Sequence, residues 1–97
     1  MQQTTIVAFK TNFSDQTDLK GRLKIEDRDS DNFYYCWSVF NKENIAIATK
    51  CLPVSKRTIP TEVKQLDFVI NHAIEGINSY RIGRQKVFKV THWTIDQ

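Results

Sequence analysis

Residues 19–26 alternate without a break: Leu19, Gly21, Leu23 and Ile25 fall on one side, Lys20, Arg22, Lys24 and Glu26 on the other. A two-residue period marks a strand with one face on a core and one in water. The segment before it, 5–13, is rich in β-branched and aromatic residues and predicts a strand, with a polar turn at 14–18. Residues 33–40 (Phe-Tyr-Tyr-Cys-Trp-Ser-Val-Phe) and 45–52 (Ile-Ala-Ile-Ala-Thr-Lys-Cys-Leu) predict two more strands around a short turn, Asn41-Lys42-Glu43-Asn44.

From Thr61 the period changes. Val63, Leu66, Val69/Ile70, Ala73/Ile74, Ile77 and Tyr80 recur every three to four residues, the apolar stripe of a helix. Thr61 suits its N-cap, and Glu62 suits the positive end of the helix dipole. Gly76 lies inside the stripe, where it costs up to ~1 kcal/mol relative to Ala; close packing on the sheet would explain it. Residues 53–60 read as a loop carrying Ser55, Lys56 and Arg57, Gly83 as a turn, and 86–95 as a last strand. The expected fold is one α+β domain over residues 1–97. Its order is β-β-β-β-α-β, an antiparallel sheet with one helix packed on one face.

A chain of 97 residues buries roughly 60–65% of its unfolded surface, enough for one core. Hydrophobic residues make up 40% and Gly plus Pro only five positions, which separates the chain from disordered sequences. No apolar run reaches the ~18 residues of a membrane helix. The first residues, Met1-Gln2-Gln3-Thr4-Thr5, lack the basic and apolar regions of a signal peptide. A cytoplasmic protein is expected.

Cysteine placement carries a geometric expectation. If the hairpin turns at 41–44, Phe40 pairs with Ile45 and Cys36 with Thr49. Cys51 then shares the face of Cys36 but sits diagonally, about 7–8 Å away at Cα, beyond the reach of a relaxed disulfide. Two reduced thiols are expected.

Catalytic chemistry finds little purchase. His72 and His92 have no neighbouring nucleophile or carboxylate in a recognisable arrangement. There is no phosphate-binding glycine loop, no dinucleotide fingerprint and no zinc spacing among the cysteines and histidines. Asp27, Asp29 and Asp31 match the first, third and fifth ligands of a calcium loop. Asn32 and Ser38 then stand where Gly and Glu are required. No cofactor, metal or membrane partner is implied, and a non-enzymatic role is expected.

Two charged features remain. Glu26, Asp27, Asp29 and Asp31 crowd a predicted hairpin tip in a chain of net charge +3. Spaced carboxylates imitate the regular charges of a nucleic-acid backbone and fit a Lys/Arg groove; the same Asp, Asn and Ser residues also suit a solvated turn. Opposing them are cations: Lys20, Arg22 and Lys24 on one strand face, Lys56 and Arg57 before the helix, and Arg81, Arg84, Lys86 and Lys89 near the last strand. With Tyr34, Tyr35, Trp37 and Trp93 also in strands, a sheet that stacks bases and holds phosphates is the alternative to an ordinary solvated face.

Small size, a single α+β domain, no catalytic constellation and a local charge patch together resemble anti-CRISPR proteins of phages and mobile elements, specifically inhibitors of type I (Cascade-like) surveillance complexes. The resemblance is to the general type and to the whole chain. The residues that carry it are Glu26, Asp27, Asp29 and Asp31, with Asp15 and Asp18 in the preceding turn. It implies a protein partner with a basic DNA-binding surface, occupied in place of target DNA. Such mimics are commonly acidic overall. In a chain of +3 the mimicry would be local. The alternative is a small nucleic-acid-binding module using Lys20, Arg22, Lys24, Arg84, Lys86 and Lys89.

Overall fold

The computed structural model describes residues 3–96. Strands β1 (Gln3–Phe13), β2 (Gln16–Asp27), β3 (Asn32–Phe40) and β4 (Ala46–Ser55) form a meander; helix α1 (Gln65–Asn78) follows, then a short ribbon β5 (Arg81–Ile82) and β6 (Gln85–Lys86), and finally β7 (Phe88–Asp96). The main sheet has the order β4-β3-β2-β1-β7, and every pairing is antiparallel. The fold is the expected α+β arrangement, with one small ribbon added before the last strand.

Alternation decides which face the helix covers. Leu19, Leu23 and Ile25 of β2 are buried, as are Val7 and Phe9 of β1 and Tyr35, Trp37 and Val39 of β3. Val69, Ile70, Ala73 and Ile77 of α1 close over them. Trp37 meets Tyr80 and Phe88 edge-on, with ring centroids 5.2 and 6.1 Å apart, sealing the end of the core where the chain leaves the helix. Gly21 belongs to this inward face. A Cβ there would overlap the ring of its cross-strand partner Phe9, so glycine is required for the ring to lie across the strand.

Several local expectations are corrected. The helix starts at Gln65 with Lys64 at the N-cap and no side-chain cap, because the chain first makes a turn in which the Val63 amide donates to the Pro60 carbonyl. Thr61 lies in that turn, where its hydroxyl donates to Glu62. Pro53 to Ser55, expected as loop, continues edge strand β4, and Lys56–Thr58 form one 3-10 turn capped by the Ser55 hydroxyl. Lys86 belongs to the ribbon rather than to the last strand; the ribbon turns at Gly83, whose φ of 63° glycine adopts without strain. Gly76 is not a point of close contact: a Cβ there would lie 3.8 Å from the Tyr35 hydroxyl.

The β3–β4 register overturns the thiol expectation. Phe40 pairs with Ala46 rather than Ile45, and a bulge between Val39 and Phe40 adds a further one-residue shift, so Val39 pairs with Ala48 and Cys36 with Cys51. The Asn41 side chain makes the longer turn by accepting from the amides of Glu43 and Ile45, and Asn44 takes a φ of 65°. Two one-residue shifts preserve the alternation, so the inward residues are unchanged. The cysteines move from diagonal to directly opposed, with Cα atoms 4.0 Å apart, and form a disulfide on the outer face.

Candidate nucleic-acid interface

With α1 on one face, the other face of the sheet is open. Its residues follow from the register. Lys20, Arg22, Lys24 and Glu26 of β2 share it with Ile6, Ala8 and Lys10 of β1, Tyr34, Cys36, Ser38 and Phe40 of β3, and His92, Thr94 and Asp96 of β7. Lys10 stands directly opposite Lys20 on one side and His92 on the other. These three basic side chains lie abreast on neighbouring strands about 4.8 Å apart, a row about 10 Å long. Arg22 and Lys24 continue the positive surface along β2.

Among the described residues, ion pairs form only between Arg28 and Glu26 and between Lys56 and Asp27. Lys10, Lys20, Arg22 and Lys24 therefore have no carboxylate partner there. Like charges directly opposed across strands destabilise a sheet, so the Lys10–Lys20 pair is a local cost that an anion would relieve. Beside the row is a shallow depression of about 250 Å³, lined by Ala8, Lys10, Lys20, Gly21, His92 and Thr94, with Phe9 beneath. Ala8 leaves its floor free of bulk, and Gly21 adds only backbone.

Lys10 and His92 were not among the expected cations of this face. The signal for Lys10 was present: it follows Ala8 on the alternation of 5–13, but only the pairing of β1 with β2 brings it beside Lys20. The C-terminal cluster separates. Lys89 lies opposite Asn12 on the open face, whereas Arg81, Arg84 and Lys86 belong to the ribbon outside the main sheet, where the Arg81 guanidinium donates to the Arg84 carbonyl. Of the expected stacking aromatics, Tyr35 and Trp37 are buried under the helix and Trp93 projects on the helix side at the sheet edge. Tyr34 alone lies on the open face, beneath the Arg28 guanidinium at 5.2 Å from its ring centre.

The acidic tip is engaged largely in its own architecture. Glu26 accepts a 2.8 Å hydrogen bond from Arg28, whose bond and charge, with Lys24, hold its carboxyl below its ordinary range. Asp27 is paired with Lys56, whose ammonium also donates to the Asp29 carbonyl. Asp29 accepts from the amides of Asp31 and Asn32 at 2.9 and 2.8 Å, and these bonds hold its carboxyl low. Asp31 contributes its backbone carbonyl to the Lys56 amide; its carboxylate is exposed. Asp15 and Asp18 sit at the β1–β2 turn, at the opposite end of β2, and the structure does not bring them to this tip. Lys56, expected as part of the cationic set, is the counter-ion of the acidic loop.

Neither histidine sits in a reactive arrangement. His72 shares a 3.1 Å hydrogen bond between Nδ1 and the Tyr35 hydroxyl, and burial pushes the Tyr35 pKa up from 10.0. His92 Nδ1 is 3.2 Å from the hydroxyl of its neighbour Thr91. No described helix is long and apolar enough to cross a membrane. The chain matches no protein family, no curated protein and no solved structure.

Proposed function

We propose that the chain is a non-enzymatic binding protein whose open sheet face holds the phosphate backbone of a nucleic acid. One observation carries this reading: Lys10, Lys20, Arg22 and Lys24 share a single uncovered face and have no carboxylate partner among the described residues. Phosphates supply the missing charge, and releasing their condensed counterions adds to the affinity. The test is a mobility-shift series at low salt with the double variant Lys20→Glu/Lys24→Glu. Wild-type protein is expected to shift DNA or RNA and the variant to lose the shift. Equal binding by both would overturn the assignment to this face.

A second reading keeps the acidic tip as the contact. In it the protein is an anti-CRISPR inhibitor in a host cytoplasm. It occupies the basic DNA channel of a Cascade-like surveillance complex by local mimicry through Glu26, Asp27, Asp29 and Asp31. The favouring observation is rigidity: Asp29 and Lys56 tie the loop at 28–31 in place, so the exposed Asp31 carboxylate is presented on a fixed scaffold. Because Asp29 also supports the loop, Asp31→Lys is the cleaner probe. This reading expects wild-type protein to bind crRNA-loaded complex and block target-DNA capture, and Asp31→Lys to weaken both. Binding to free nucleic acid with no effect on the complex would remove it.

A further inference from the structure

We infer that the depression between Lys10, Lys20 and His92 seats one unpaired base of a single-stranded polynucleotide, with the neighbouring phosphates on the three basic side chains. The inference rests on the polyanion reading of the open face and narrows its ligand. Three features of the structure carry it.

The first is the mixed chemistry of the depression. A site for phosphate alone needs donors and nothing else. Here Lys10 and Lys20 stand at the rim, while Ala8 and the Gly21 backbone leave an uncharged floor. A ligand matching both parts has a flat apolar body and an anionic edge, which describes a nucleotide. The second is size. At about 250 Å³ the depression falls below the roughly 300–1,000 Å³ of sites that enclose a whole small molecule, so it suits one ring of a longer ligand whose remainder lies outside. The third is the shape of the surface around it. Five strands make a face roughly 19 Å across, too broad for a B-DNA major groove about 12 Å wide. A duplex would touch this face through its backbone only, whereas a single strand can lie along it with bases turned towards the sheet.

Gly21 contributes only backbone to this floor. Its missing side chain belongs to the inward face, where the Phe9 ring fills the space, so the core and not the depression requires the glycine. Lys10 and Lys20 flank that point as direct partners.

The experiment compares three labelled ligands of equal length by fluorescence anisotropy: a single-stranded oligothymidine, the same backbone without bases, and a duplex. Wild-type protein is expected to bind the single strand at least about fivefold more tightly than the abasic strand, the lower end of what stacking one base contributes. Ala8→Leu fills the depression without changing charge; it is expected to abolish that preference. Thr94→Leu, which fills the depression from β7 without changing charge, serves if Ala8→Leu fails to fold, and is expected to reduce the preference. Equal binding of single and abasic strands by wild-type protein would overturn the inference while leaving the polyanion reading in place. Absence of binding to all three would overturn both.

Discussion

Two glycines face the core side of this protein, and their surroundings assign them opposite roles. At Gly21 any β-carbon would enter the Phe9 ring. Gly21→Ala is expected to lower stability by about 1–3 kcal/mol through overpacking. At Gly76 the nearest atom to a new Cβ is the Tyr35 hydroxyl at 3.8 Å, an ordinary contact. Gly76→Ala should raise stability by up to about 1 kcal/mol, since it restores helix propensity at no steric cost. Paired denaturant titrations check both signs at once. The acidic loop supplies a pH prediction at the same scale. Asp29 is stabilised as an anion by two amides, so its folded pKa lies below the ordinary 3.8. A depressed carboxyl contributes stability that is present above its unfolded pKa and lost as pH falls through the folded one. The amides of Asp31 and Asn32 should therefore stay protected from exchange at mildly acidic pH and lose protection below about 3.8. Of these residues, the sequence made the acidic density legible but not its use, because Lys56 lies 27 residues from Asp29 along the chain and meets it only after β3 and β4 have folded back.

At the scale of elements, the β3–β4 hairpin shows how much rests on one turn. Its strands were legible from composition and alternation. Its register was not, because the Asn41 side chain lengthens the turn and a bulge adds another residue. Together these shift the pairing by two while leaving the buried set intact. The hydrophobic pattern is blind to a two-residue slip, and the Cys36–Cys51 pairing depended on it. The disulfide closes a separation of 15 residues. Reduction, or the double change Cys36→Ser/Cys51→Ser, is expected to lower stability by up to about 3 kcal/mol. The core should remain undisturbed, because both sulfurs lie on the outer face. Unfolding transitions with and without reductant measure the loss, and alkylation before and after reduction reports the bond itself. The helix shows the reverse case: its stripe was clear, but the Pro60–Val63 turn displaced its start by a full turn beyond Thr61. Local hydrogen bonding settles such boundaries, not periodicity.

For the molecule as a whole, the division of charge matters more than the total. The net +3 arises from a cationic face without ion-pair partners among the described residues and an acidic tip that consumes two cations of its own, Arg28 and Lys56. Binding through the open face should therefore depend steeply on salt. If Lys10, Lys20, Arg22 and Lys24 each neutralise one phosphate of a single strand, log K against log salt should fall with a slope of about −3. Contact through the acidic tip of a protein partner would not show the counterion release of a bound free polynucleotide. Anisotropy at several salt concentrations, with wild type and Lys24→Glu, distinguishes the two surfaces: the variant should flatten the slope by about one unit.

Periodicity alone determined the α+β class, the strand count of the main sheet, the helix stripe and the inward set of β2, because burying apolar side chains forces a period of two in strands and 3.6 in helices. It also placed Lys20, Arg22 and Lys24 together, since alternate residues of one strand share a face. Tertiary structure decided everything that joins distant positions. It set Lys10 between Lys20 and His92, opposed Cys36 to Cys51, tied Lys56 to the acidic loop and separated Asp15 and Asp18 from it. Those relations depend on register and turn geometry, which a change of one residue alters and which apolar patterning constrains only by parity.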